Sequence, residues 1–258
     1  MVYFNFSEYK GNDMLKKIII LYLFSFNSLM ADNTTSFKFE SGIEKNTLIE
    51  LYTSEGCSSC PPAEAYLNRL KNNNKLWSKY IPIALHVDYW DYIGWKDPYA
   101  TKENGQRQSR YASLKRASTV YTPAFMVNGS SWRRGIFSNS LPNESSIVGN
   151  LVVNINGHEV KASYKNKINT PLKLNVAILG MDLTSVIEQG ENAGRTAKHE
   201  FVVVGFNSSN SSNLSWNMEL PKLNYTKSKK YALAVWVSEV NNPTPLQAVG
   251  GYLTNFKY

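Results

Sequence analysis

The chain is poor in the side chains that most often hold metals or act as nucleophiles: 258 residues contain two cysteines, Cys57 and Cys60, and three histidines. Two cysteines exclude a multi-bridge disulfide framework, and without a second Cys-x-x-Cys the four ligands of a zinc knuckle are lacking. No His-Glu-x-x-His, nucleotide-binding loop or Gly-x-Ser-x-Gly elbow occurs, which removes the commonest metalloprotease, phosphate-loop and serine-hydrolase readings. Gly190-Glu-Asn-Ala-Gly-Arg195 has the glycines of a phosphate loop but neither its Lys-Ser/Thr end nor a following helical pattern. It reads as a turn. His86, His158 and His199 stand singly in the sequence, and each reads as a packed or surface residue. Lysine and arginine outnumber the acids, for a net charge of +8, yet only Lys227, Lys229 and Lys230 cluster tightly. With no basic stripe or recognition motif, nucleic acid is not an expected partner.

What remains is one concentrated stretch. Thr47–Thr53 is an apolar run of strand length, followed by Ser-Glu-Gly, Cys57-Ser-Ser-Cys60, Pro61-Pro62 and a helical pattern over Ala63 to Leu70. A Cys-x-x-Cys between a strand and a helix is the signature of a thioredoxin-like redox motif. Free amides and the positive end of the helix dipole lower a cysteine pKa at that place, and proline suits a first helical turn that needs no N–H donor. Cys57, nearer the loop, is the expected exposed attacking thiol and Cys60 the resolving one. The same spacing is open to an inert local disulfide. Glu55, two residues before Cys57, argues against a strongly acidic thiol if it lies close.

A second apolar run, Ile81–Val87, completes a βαβ unit with a right-handed crossover. Asp88-Tyr-Trp-Asp-Tyr-Ile-Gly-Trp-Lys-Asp-Pro-Tyr99 follows at the end of that strand, the edge where open α/β sheets bind ligands. Tyr89 and Trp90 are therefore candidates for a substrate wall beside the cysteines, although these aromatics equally suit a packed loop. Thr101–Ala117 reads as a polar helix, and Asn128-Gly129 as a hairpin turn after Val120-Tyr-Thr-Pro-Ala-Phe-Met-Val127. Beyond it the composition shifts. Residues 138–150 read as a Ser/Asn/Gly-rich linker, and from Leu151 strand-like runs recur between turn residues, as in an antiparallel sandwich.

Four blocks together carry a resemblance: Glu50-Leu-Tyr-Thr-Ser-Glu-Gly-Cys-Ser-Ser-Cys-Pro-Pro-Ala-Glu64, His86-Val-Asp-Tyr-Trp-Asp91, Gly94-Trp-Lys-Asp-Pro98 and Tyr121-Thr-Pro-Ala124. From about Thr47 onward the chain resembles a family of secreted bacterial thioredoxin-like proteins catalogued as a domain of unknown function. The resemblance implies a thioredoxin-like fold with an added β-rich part, and no known substrate. It also implies a cis Thr122–Pro123 bond whose backbone faces the cysteine pair and holds the substrate strand.

Near the N-terminus, Met14-Leu-Lys-Lys precedes Ile18-Ile-Ile-Leu-Tyr-Leu-Phe-Ser-Phe26 and ends in Asn27-Ser-Leu-Met-Ala31. That is the order of a signal peptide, with an apolar stretch short of the ~20 residues of a membrane span. The expected organisation is a signal peptide or anchor over 1–31 (Met14 a candidate initiator) and a flexible lead-in over 32–46. A thioredoxin-like α/β domain over 47–137 and the linker over 138–150 come next. A β-rich, sandwich-like unit over 151–258 packs on the first. The expected function is a periplasmic or secreted thiol–disulfide oxidoreductase acting on a protein or small-molecule thiol or disulfide, with a redox-active disulfide in place of a cofactor. Membrane attachment is expected only where the N-terminal segment stays uncleaved. Two alternatives stand beside it: a copper(I) chaperone using Cys57, Cys60 and His86, and a non-catalytic binding protein on the same scaffold.

Overall fold

The computed structural model describes residues 35–133, 141–142, 145–225 and 227–256. In chain order the described strands are β1 (Ser36–Glu40), β2 (Thr47–Thr53), β3 (Tyr80–His86), β4 (Ala124–Val127) and β5 (Ser130–Trp132). They continue with β6 (Asn150–Asn156), β7 (Glu159–Lys165), β8 (Leu172–Met181), β9 (Leu183–Val186) and β10 (Thr196–His199). The last four are β11 (Val202–Ser211), β12 (Ser215–Glu219), β13 (Lys230–Glu239) and β14 (Pro245–Leu253). Two α-helices, α1 (Pro61–Asn68) and α2 (Lys102–Ser113), and 3-10 turns over Arg69–Asn72 and Asp88–Ile93 complete the described elements.

Every residue of β2 is buried, so the strand must be covered on both faces and paired on both edges. β3 runs parallel along one edge, in register from Thr47↔Tyr80 to Thr53↔His86, and β4 runs antiparallel along the other. A parallel pair needs a crossover, and α1 with its 3-10 extension supplies it. Asn128 and Gly129, both at positive φ (50° and 79°), close the β4–β5 hairpin as a two-residue turn of mirror type requires.

β3 is apolar on both faces and likewise needs a partner on its second edge. β11 fills that place: Val202 pairs with Ala84 in parallel, and Ala84 N–H donates to Phe201 O. This one junction merges the two halves. The largest sheet has eight strands in the order β14-β13-β8-β11-β3-β2-β4-β5. The recurring strands of residues 151–258 lie in two packed sheets, as a sandwich-like pattern predicts, but they do not form a separate unit. Four of them extend the sheet begun by β2 and β3. β6, β7 and β12 join β1 in a four-stranded sheet, order β1-β6-β7-β12, which packs on β14 and β11.

The lead-in expected over 32–46 is also ordered where described, because β1 pairs with β6 from Ser36↔Asn156 to Glu40↔Val152. Gln247 fastens the stretch that follows: its side-chain amide donates to the carbonyls of Gly42, Glu44 and Gly149 and accepts from Asn46 N–H. The expected signal segment over 1–31 and residues 138–140 and 143–144 of the linker lie outside the described residues. Among the described residues no helix is long and apolar enough to cross a membrane.

Mid-strand on β2, Glu50 is fully buried. Arg107 on α2 meets it in a fork, Nε to Oε2 at 2.9 Å and Nη2 to Oε1 at 3.0 Å, while Tyr52 and Tyr111 hydroxyls donate to the same carboxylate. The guanidinium also lies 4.9 Å over the Trp236 ring, which ties α2 to β13. Burial opposes the charge on Arg107, but Glu50 outweighs it and holds the guanidinium pKa above its ordinary value. Removing one partner of such a pair strands the other charge away from water. Arg107→Ala should lose about 3–5 kcal/mol in denaturant unfolding, and Glu50→Leu combined with Arg107→Met should recover part of that loss.

Candidate active site beneath the aromatic loop

β2 ends at Thr53, and Ser54, Glu55 and Gly56 turn the chain toward α1. Cys57 N–H donates to Ser54 O, Cys60 N–H donates to Cys57 O, and the amides of Ala63 and Glu64 donate to Cys60 O. Cys60 is thus the N-cap of α1, with prolines at its first two positions. Cys57 and Cys60 form a disulfide, their Cα atoms 5.4 Å apart.

Both cysteines are fully buried, while Ser58 and Ser59 between them are exposed. The expected exposed Cys57 is therefore not found. Two segments close on the disulfide loop: Asn192, which donates to Cys57 O, and the stretch after β3. A side chain at Gly56 would meet Trp90 Cβ at 3.1 Å and Ile93 Cδ1 at 3.4 Å, so that stretch packs directly on the residue before Cys57. Trp90 also donates from Nε1 to Thr122 Oγ1 at 2.6 Å, joining the loop over the cysteines to the proline loop. The Thr122–Pro123 bond is cis. The Tyr89 hydroxyl donates to Gln108 Oε1 on α2 and also lies beside Thr122, and burial pushes its pKa up to about 12. Trp90 thus packs on the start of the disulfide loop, and both aromatics reach Thr122 on the proline loop.

Beside the disulfide, Ser59, Pro62, Tyr66, Pro123, Phe125 and Trp132 line a largely apolar groove of about 280 Å³. On the other side of the disulfide loop lies a set of buried charges that no motif announced. His199, on β10, sits between two carboxylates: Nε2 is 2.9 Å from Glu55 Oε1 and Nδ1 is 3.0 Å from Glu64 Oε2. Thr53 Oγ1 donates to Glu64 Oε1, and Trp95 Nε1 to Glu55 Oε2. His86 Nδ1 is 2.7 Å from Asp97 Oδ2, which also accepts from Glu55 N–H. Asn192 bridges the carbonyls of Glu55 and Cys57, so the disulfide's backbone and the charge cluster share a support.

The electrostatics are reciprocal. Burial pulls the His199 pKa down, but its hydrogen bonds to Glu55 and Glu64 outweigh that and raise it to about 10. Burial pushes Glu64 and Asp97 up, and the imidazoles of His199 and His86, respectively, reverse the direction to below the ordinary carboxylate range.

His86 is thus held by Asp97 rather than turned to the cysteines. Among the described residues, the group of His, Cys, Asp and Glu side chains close enough to share one ion is Glu64, His86 and His199. Sequence reading passed over this cluster because its members lie as far apart as Glu55 and His199. One signal was present, however. A histidine at the end of an otherwise apolar strand such as β3 needs a buried partner.

A family model described as "Protein of unknown function (DUF1223)" matches residues 48–238. No curated protein matches the chain. A crystal structure of a protein from Agrobacterium tumefaciens is similar in fold, with 21% identity and a TM-score of 0.55, covering 82% of this chain and 97% of that one. HBP35 of Porphyromonas gingivalis is similar at 13% identity and a TM-score of 0.50, covering 84% of this chain and 80% of that one.

Because Trp90 packs on Gly56 and spans to Thr122, Trp90→Ala should uncover the disulfide loop. Reduction of Cys57–Cys60 by dithiothreitol, followed by timed alkylation, should become several-fold faster. An unchanged rate would mean that the indole does not control access.

Proposed function

The chain belongs to the DUF1223 family, whose description assigns no activity, and from its site we propose that it is an exported, thioredoxin-like thiol–disulfide oxidoreductase with Cys57–Cys60 as redox centre. One observation carries this reading: the disulfide occupies the turn from a buried parallel strand into the N-terminus of α1, next to a cis-proline loop. The order β2, α1, β3 followed by the β4–β5 hairpin supports a thioredoxin-like arrangement for residues 47–132. The later strands then act as its extension.

The chemistry needs no cofactor. A substrate thiolate attacks one sulfur of the disulfide, and the other leaves as a thiolate that the helix N-terminus stabilises. A second substrate thiolate then attacks the mixed disulfide and releases the remaining protein thiolate. Two electrons have passed to the protein, two substrate thiols have become a disulfide, and reduction of a substrate runs the same steps backward. Cys57 is the sulfur proposed to form the mixed disulfide, since Cys60 is locked into the helix cap. The groove of Pro62, Tyr66, Pro123, Phe125 and Trp132 favours an extended polypeptide as substrate. Trp90 swings aside for it, and Thr122–Pro123 offers the docking edge. A disulfide partner reaction fits a periplasmic or secreted location. Copper(I) binding by Cys57, Cys60 and His86 draws no comparable support, because among the described residues His86 groups with Glu64 and His199 rather than with a cysteine.

The test combines a potential with a trap. Equilibrated against glutathione, the pair should exchange, and Cys60→Ser should accumulate a mixed disulfide on Cys57 with a single-thiol peptide once oxidant is supplied, since neither partner then carries a resolving thiol. A reduction potential below about −300 mV would mark Cys57–Cys60 as an inert staple and overturn the reading. A trap on Cys60 in Cys57→Ser alone would reverse the two roles.

A further inference from the structure

The buried cluster beside the disulfide is arranged as a set of ligands. Glu64, His86 and His199 each present a ligand atom, and the three atoms lie within 4.8 Å of one another. We propose that these residues form a binding site for one divalent first-row transition ion of the zinc class, with Thr53, Glu55 and Asp97 as the residues that orient its ligands.

Each ligand is gripped on the side away from the site. His86 is bonded through Nδ1 to Asp97 Oδ2, which leaves Nε2, and that nitrogen is fully buried with no hydrogen-bond partner. His199 is bonded through Nε2 to Glu55 Oε1, so its Nδ1 faces Glu64 Oε2. Glu64 is fixed through Oε1 by Thr53 and keeps Oε2 for the site. Glu55 and Asp97 are themselves held, by Trp95 Nε1 and by the Tyr99 amide. A histidine whose far nitrogen rests on a carboxylate is the usual outer arrangement of a metal ligand, because the carboxylate sets the tautomer and the ring direction. Here it occurs twice around one carboxylate.

Distance and charge agree with this assignment. The 3.0 Å between His199 Nδ1 and Glu64 Oε2 is close to the ~3.3 Å edge of a tetrahedron built on bonds of about 2.0–2.1 Å. Three buried carboxylates, Glu55, Glu64 and Asp97, face two imidazoles, and a buried excess of negative charge calls for a cation. On binding, the ion replaces the proton shared by His199 Nδ1 and Glu64 Oε2, and that proton leaves to solvent. Two imidazoles and a carboxylate, without sulfur, suit zinc and its neighbours rather than calcium or copper(I). Glu64 and His199 also border a cavity of about 440 Å³ with Asn68, Arg195 and Lys198. It provides access for the ion and room for a fourth, non-protein ligand, as in open rather than purely structural zinc sites.

The inference does not rest on the redox reading, since no cysteine sulfur takes part. The experiment uses the full chain, stripped with a chelator and titrated with Co2+ and Zn2+. Wild type should take up one Co2+ per chain, with visible absorption bands of a low-coordinate site, and Zn2+ should displace the Co2+ and raise the unfolding temperature. Glu64→Gln and His86→Ala should each abolish the bands, and Asp97→Asn should weaken affinity about 10–100-fold. Cys57→Ser/Cys60→Ser should bind as wild type does, which keeps this result separate from any failure of the oxidoreductase. Wild type that takes up no stoichiometric Co2+ overturns the proposal whatever the variants do. So does binding that survives Glu64→Gln, or binding lost with the cysteines alone.

Discussion

Glu50 places a full charge at the centre of β2, where water does not reach, and the layout of the site follows from how that charge is held. A lone buried carboxylate is too costly to persist, so Arg107 must meet it, and Arg107 can do so only if α2 lies against β2 at one position along its length. The next residue on α2 is Gln108. Its amide donates to Tyr121 O, directly before Thr122 and Pro123, and its carbonyl receives the Tyr89 hydroxyl. A single ion pair therefore sets the place of the proline loop and of the loop that carries Trp90. The two walls around the disulfide inherit their spacing from a contact several residues away from it.

A second set of compensated charges explains why the later strands cannot be a separate unit. Glu55 and Glu64 flank the cysteines, and the imidazole between them comes from His199 at the end of β10. Two residues on, Phe201 O accepts from Ala84 on β3. The strand that supplies the imidazole's neighbours in sequence is thus the strand that seals the open edge of β3. Hydrogen-bond completion of the sheet and charge completion of the site are achieved by the same stretch, residues 196–203. Detaching the later strands would expose a parallel edge and leave two carboxylates without their cation.

The local parts of this arrangement were legible in the sequence. The apolar run of Thr47–Thr53, the prolines after Cys60 and the Asn128-Gly129 turn act over a few residues and leave signatures of that length. The resemblance supplied the cis Thr122–Pro123 bond, which periodicity alone has no means to indicate. What was illegible is long-range. The β3–β11 junction rests on one parallel pairing between residues more than a hundred positions apart, and parallel pairing has no turn to mark it. His199 lies in a polar segment, Thr196–His199, that looks like any exposed hairpin. Its burial depends on Glu55 and Glu64 being across from it. Cys57 looked exposed because the sequence places it in a loop, whereas distant segments close over that loop, Trp90 and Ile93 at Gly56 and Asn192 at the Cys57 carbonyl.

The two sides of the disulfide loop differ in a way that bears on its chemistry. One side is the apolar groove of Tyr66, Pro123, Phe125 and Trp132, and the other is the charge cluster, connected through Asn192 to the backbone of both Glu55 and Cys57. Reduction turns a neutral disulfide into one or two thiolates, so the charge of the cluster acts on the equilibrium with a definite sign. Carboxylates alone oppose the thiolate and favour the disulfide. A cation among Glu64, His86 and His199 offsets them and favours the reduced form, making the pair a stronger oxidant. Because the interaction runs through buried protein rather than water, it is weakly screened by salt. For the proposed oxidoreductase, the polar side would tune the reactivity of a disulfide whose substrate docks on the apolar side.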